Sequence, residues 1–195
     1  SVASRGLGDV YKRQGISGAS GIIYGIRTLQ LLREAGVETH LIVSKAAEMT
    51  LAYESDLTIK DLREMADKTH AMVNIGASIS SGSFHTLGMI VVPCSVRTMS
   101  EIATGVTGSL MSRAADVVLK ERRRLVLGVR ETPLHSGHLR TMLSLSDMGA
   151  MICPVVPAFY NRPKTLDDIV DHTVGRMLDL FDIDVGAARR WKTEE

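Results

Sequence analysis

The sequence predicts a three-layer α/β sandwich built on a mostly parallel sheet, and three observations carry that prediction. Four short runs, VETHLIV (37–43), GMIVVPC (88–94), RLVLGVRE (124–131) and MICPVVP (151–157), are largely apolar and β-branched, the pattern of strands buried on both faces. Stretches of helical periodicity stand between them, so strand and helix alternate along the chain. The 195 residues, 45% hydrophobic and 23% charged, suffice for one domain with a substantial core.

Each element has its own signal. The chain opens with SVASRGLGDVYKRQ, in which only Val10 and Tyr11 are candidates for burial, so residues 1–14 form an atypical segment. They read equally as a divergent native strand or as a scar of cloning or sequence assembly. A strand built from GDVYKRQ would set Lys12, Arg13 and Gln14 where apolar side chains are expected, and burying unpaired charge is costly. The loop GISGASG, Gly15 to Gly21, opens a helix over 21–35 that Gly36 closes. Strand 37–43 runs into Ser44, a helix N-cap candidate in front of KAAEMT. The capping box TIKD starts a helix over 58–66. Strand 88–94 precedes Thr98, a second N-cap candidate. A helix over about 107–122, strand 124–131, a helix over about 136–147 and strand 151–157 follow. The capping box TLDD begins the last helix, 165–182, and residues 192–195 are a tail.

Charge and cysteine usage exclude several function classes. Lys and Arg number 23 against 22 acidic residues, a formal net charge of +1, so no bulk field draws the chain to nucleic acid or to an anionic membrane surface. Cys94 and Cys153 lie in apolar runs, which suits buried, reduced thiols and a cytoplasmic protein. No apolar stretch approaches the length of a membrane span, and no secretory leader pattern heads the sequence.

In a doubly wound sheet ligands sit beyond the carboxyl ends of the strands, so the residues after each strand are the functional candidates. A Gly-rich loop opening a helix is a place to hold phosphate. The spacing G-x-x-G-x-x-G matches neither the dinucleotide fingerprint nor the P-loop, so neither NAD nor ATP is favoured. Ser44, Ser95 and Thr98 add hydroxyls, Arg130 and Glu131 close LVLGVRE, and Tyr160 follows VVPAF. Together they form a neutral-to-cationic cleft fit for a phosphorylated cofactor. The alternatives are plain: helix caps for the hydroxyls and a half-buried aromatic for Tyr160. Arg113 and Lys120 stand seven apart, two turns along one face of a helix packed through Ala-Ala and Val-Val, and an anion is their natural partner. Arg122 to Arg124 read as a solvated helix end. His135 and His138 lack a third ligand and read as surface or helix-packing residues rather than as a metal site.

The blocks GISGASG, SKAAEMTLAYESD, ASISSGSF, VVPCSVRTMSEIATG, RAADVVLKERRRLVL, VRETPLHSGHL and VPAFYNRP occur in the order and spacing of the UbiX-type flavin prenyltransferases. The chain resembles that family from roughly residue 15 to Trp191. The resemblance implies a Rossmann-like, flavodoxin-like fold over residues 15–191 that binds FMN. It further implies transfer of a dimethylallyl group from dimethylallyl monophosphate to reduced FMN at N5 and C6, without a metal. The product would serve a UbiD-type decarboxylase, and the protein would be a homo-oligomer, a dodecamer. Carried over by position, Gly18, Ala19, Ser20, Ser44, Ser95, Thr98 and Arg130 would contact FMN. Arg113, Lys120, Arg130, Tyr160 and Arg176 would surround the prenyl phosphate, with Trp191 closing the pocket. Ser20, Glu54, Glu131 and Lys120 would take part in the chemistry. The related FMN-dependent cysteine decarboxylases carry P-A-S-A-N-T where this chain reads PCSVRT. A non-catalytic FMN-binding module is the remaining alternative.

Overall fold

The computed structural model describes residues 11–188, with side chains from Gly15 onward. Six strands form one sheet in the order β3-β2-β1-β4-β5-β6, every neighbouring pair parallel. They are β1 (Tyr11–Ile16), β2 (Glu38–Val43), β3 (Lys68–His70), β4 (Gly88–Cys94), β5 (Arg124–Val129) and β6 (Met151–Ile152). Seven α-helices flank them: α1 (Ile22–Glu34), α2 (Lys45–Glu54), α3 (Ile59–Glu64), α4 (Val96–Ala103), α5 (Leu110–Lys120), α6 (Ser136–Asp147) and, after the last strand, α7 (Leu166–Asp179).

The period of two along β4 and β5 sorts the core into layers. Met89, Val91, Leu125 and Leu127 face α4, α5 and α6 on one side. Ile90, Val92 and Val126 face Met177 and Phe181 on the other. The helices α1, α2 and α3 pack over β1 and β2 through Ile16, Ile26, Leu41, Leu51 and Leu62. The three-layer α/β sandwich and its parallel sheet are as the sequence predicts. The chain order 3-2-1-4-5-6 reverses direction between β1 and β4, which makes the gap between their carboxyl ends the switch point of the sheet.

Several boundaries differ from the sequence expectation for local reasons. β1 runs through YKRQGI in the centre of the sheet, pairing β2 over six residues and β4 over three, so the backbone accepts this segment as a strand. The last run, 151–157, is a ladder strand only at Met151–Ile152. Cys153 and Val155 still donate to the Leu127 and Val129 carbonyls at 2.9 Å, but Pro154 between them has no N–H to give. The helix over 107–122 begins only at Leu110, where Ser109 caps it. Capping boxes at Thr58–Asp61 and Thr165–Asp168 form as read. Ser44 caps α2 by accepting the Ala47 N–H at 3.1 Å. Ser95, not Thr98, caps α4: Thr98 lies inside the first turn and its N–H donates to Ser95 Oγ at 3.3 Å. Burial pushes the Cys94 thiol up to about 12, in keeping with a packed core cysteine, whereas Cys153 is only partly buried.

Candidate active site at the switch point

The loops leaving β1 and β4 are tied together by one buried hydroxyl. Ser17 Oγ donates to the Pro93 carbonyl at 2.9 Å and accepts the Ser95 N–H at 2.7 Å. The next residue, Gly18, lies against α2 so closely that a Cβ there would stand 2.3 Å from Ala46 Cβ. The sequence places glycine at this position because no larger residue lets β1's loop meet the start of α2.

A cleft of 620 Å³ opens between these loops, lined by Gly18, Ser44, Ser95, Thr98 and Ser109 among others. Ser44, Ser95 and Ser109 are the N-caps of α2, α4 and α5. Three helix N-termini therefore bound one cavity, and their aligned peptide dipoles and hydroxyls favour an anion there. Four residues singled out from the sequence, Gly18, Ser44, Ser95 and Thr98, line this one cleft.

The Gly-rich loop itself does something different. It opens α1, but the first N–H groups of that helix, at Gly21 and Ile22, already donate to Glu54 Oε2 at 2.8 and 3.0 Å. The N-terminus of α1 is thus satisfied by a carboxylate from the end of α2, whereas the termini of α2, α4 and α5 open on the cleft. Ser20 also hydrogen-bonds Glu54, and the Arg130 charge acts on it. Partial burial works against ionisation, yet the bonds from Ser20, Ile22 and Gly21 together with Arg130 outweigh it and hold Glu54 below the usual carboxylate range. Ser20, Glu54 and Arg130, scattered over more than a hundred residues, form one cluster at the mouth of the switch point. Their stability contribution has a defined sign. A depressed carboxyl is stabilising above its unfolded value and loses that contribution as pH falls through the folded one. We expect Glu54→Gln to flatten the decline of the urea midpoint between about pH 5 and pH 3. An unchanged slope would show that the carboxylate does not hold α1.

A second pocket of 330 Å³ is lined by Cys153, Val156, Tyr160, His172, Arg176 and Leu180. Tyr160 and Arg176 line it together. Tyr160 Oη lies 3.1 Å from His172 Nε2, with the rings edge-on at 82°. Arg176 Nη1 donates to Asp179 Oδ2 at 2.7 Å. Nothing in the sequence singles out His172 except the i, i+4 spacing that sets it on the Arg176 face of α7. Glu131 stands two residues beyond β5, its Oε1 accepting the Thr132 N–H at 3.0 Å.

Arg113 and Lys120 do not join this group within one chain. They share a face of α5, as their spacing predicts, but it is the face turned from the core, where Arg113 pairs with Asp116 at 2.9 Å and Lys120 with Glu121. α5 starts at the cleft and runs about 15 Å away from it. Lys120 therefore lies toward the amino ends of the strands, beside Gly82. Trp191 lies outside the described residues. A larger cavity of 720 Å³ at that opposite edge is lined by Gly36, Arg124, Asp182 and their neighbours and holds none of the sequence candidates. His135 is the N-cap of α6, its Nδ1 accepting from Gly137 and His138 N–H, and it stacks on His138 at 3.6 Å. Among the described residues no group of three or more His, Cys, Asp or Glu is placed to hold a metal, and no helix is long and apolar enough to cross a membrane.

Comparison with known proteins shows the family. Residues 13–183 match the Flavoprotein family. The chain is 58% identical over 170 residues to the flavin prenyltransferase UbiX of Escherichia coli K12, covering 87% of this chain and 90% of that one. It is similar, at 49% identity and a TM-score of 0.93, to AnUbiX (PadA1) solved in complex with FMN and dimethylallyl pyrophosphate, over 95% of this chain and 99% of that one. A dodecameric FMN-dependent UbiX-like decarboxylase from Escherichia coli O157:H7 superposes with a TM-score of 0.92 at 49% identity, over 94% of this chain and 100% of that one.

Proposed function

We infer, from the premise that this chain belongs to the Flavoprotein family and within it to the UbiX-type flavin prenyltransferases, how its own residues divide the work of prenyl transfer to FMN. The observation that carries the reading is the meeting of three capped helix N-termini with the Ser20, Glu54 and Arg130 cluster at one switch point. The donor set fits FMN. A phosphate suits the N-termini of α2 and α4, where Ser44, Ser95 and Thr98 offer hydroxyls. Gly18 and Ala19 allow close approach of a flat ring to the β1 loop, and Ser20 and Arg130 stand at its edge. Reduced FMN, when bound, supplies the nucleophilic ring that accepts the prenyl group.

The remaining chemistry belongs to side chains. The bond between the prenyl carbon and the phosphate oxygen breaks with its electron pair leaving on phosphate, so cations must face that oxygen as charge develops. Arg176 and Tyr160 supply a guanidinium and a phenol in one pocket. Arg113 and Lys120 would reach the same phosphate from neighbouring copies of the chain, in an assembly such as the dodecamer known for the similar decarboxylase. Val156, Met177 and Leu180 give that pocket apolar walls, which keep water from an electron-poor allylic carbon. Glu131 is the base that removes a proton as the new ring closes. The donor in this reading is dimethylallyl monophosphate, the product passes to a UbiD-type decarboxylase, and the free thiols Cys94 and Cys153 accord with a cytoplasmic setting.

The test is the mass of flavin released after the purified protein is incubated with reduced FMN and dimethylallyl phosphate. The expected result is FMN heavier by one prenyl unit. Bound flavin of unchanged mass would overturn the reading in favour of a non-catalytic FMN-binding module.

A further inference from the structure

The Tyr160 hydroxyl has a buried neighbour whose protonation state decides which way the phenol donates. His172, on α7 one turn before Arg176, is 4% exposed. Its Nε2 meets Tyr160 Oη at 3.1 Å, while its Nδ1 is buried with no hydrogen-bond partner. Burial and the nearby Arg176 charge both push His172 below the ordinary imidazole value, against a smaller pull from Asp179, so the ring is neutral near pH 7. A neutral ring carries one proton. If Nδ1 held it, a buried N–H would be left without an acceptor, the rarer and more costly kind of orphan. If Nε2 holds it, only a lone pair is left unmet, and that lone pair sits in the field of a cation.

We propose that His172 is a positioning residue for the prenyl phosphate: its Nε2–H donates to Tyr160 Oη and thereby turns the phenolic proton away from the imidazole, toward an anion in the pocket that Tyr160 shares with Arg176. This rests on the assignment of Tyr160 and Arg176 to the leaving phosphate. With the opposite tautomer the phenol would spend its proton on Nε2 and present only a lone pair to an anion, which repels it. The imidazole therefore sets the sign of the contact without touching substrate.

Three readouts on the protein test it. Long-range nitrogen-15 NMR of the histidine ring should show the Nε2–H tautomer for His172; the Nδ1–H tautomer would overturn the proposal. Calorimetric titration of FMN-loaded protein with dimethylallyl phosphate should show about tenfold weaker binding for His172→Leu, the scale of one hydrogen bond to a charged group. His172→Gln, whose amide keeps a donor toward Tyr160, should restore most of it, and the KM for the donor should rise more than kcat falls. Equal loss in the Leu and Gln variants would mark a packing role and overturn the inference. In a Tyr160→Phe background, His172→Leu should cost no further affinity. An Nε2–H ring in a wild-type chain that binds no dimethylallyl phosphate would overturn the phosphate assignment and this inference with it. An Nδ1–H ring with normal donor binding would overturn this inference alone.

Discussion

Glu131→Gln is expected to leave FMN and the prenyl donor bound at wild-type affinity while lowering the rate of ring-closed product by about 10²–10⁴-fold, the usual contribution of a positioned general base. The substitution is well suited to the question. Glu131 Oε1 accepts the Thr132 N–H at 3.0 Å, and a glutamine oxygen can accept the same bond, so the turn after β5 keeps its geometry. What disappears is the ability to take a proton. Glu131 follows Arg130, whose charge acts on Glu54 across the mouth of the cleft, so the two carboxylates approach one site from different elements, Glu54 from the end of α2 and Glu131 from the segment after β5. Glu54 is committed to the Gly21 and Ile22 N–H groups and is poorly placed to receive a proton. Glu131 carries no such commitment to a helix terminus. Single-turnover measurement of flavin mass separates binding from ring closure, and an unimpaired rate would remove Glu131 from the mechanism and leave the released phosphate as the base.

What the sequence reveals of this site depends on how local the determining interaction is. The strands β4 and β5 are legible because both of their faces are covered and every position along Gly88–Cys94 must be buried. Ser44 is legible because a cap bonds to a residue three places away. Thr98 misleads for the same reason: Ser95, Thr98 and their mutual 3.1 Å hydroxyl contact lie within one turn, and sequence alone does not say which of the two stands outside the helix. The short strand β3, KTH, has no apolar signal because it lies at the sheet edge and two of its three residues are exposed. Glu54 is the instructive case. A family resemblance places it near the reacting edge, but its bond to the start of α1 spans 33 positions, and no spacing rule announces it. His172 is likewise a tertiary contact, made when the segment around Tyr160 folds back on α7.

Lys120→Ala and Arg176→Ala are each expected to leave FMN bound and to reduce prenyl transfer severely. A charge-assisted contact is worth about 1.5–3 kcal/mol, so each loss should cost roughly 10- to 150-fold, and the pair more than either alone. The two residues differ in how they can reach the phosphate. Arg176 lines the pocket that holds Tyr160 and is anchored by Asp179 at 2.7 Å. Lys120 closes α5 near the amino ends of the strands, paired with Glu121, about a helix length from the cleft. If both act on one phosphate, they belong to different copies of the chain. Mixing the two inactive variants after dissociation and reassembly should then restore part of the activity, because some sites receive an intact Arg176 from one copy and an intact Lys120 from another. A Lys120→Ala protein with wild-type turnover would return Lys120 to the role its own chain shows, a surface ion at the end of a helix. A mixture that stays inactive, with both single variants impaired, would place both cations in one copy's site and require α5 to approach the cleft by a route other than subunit contact.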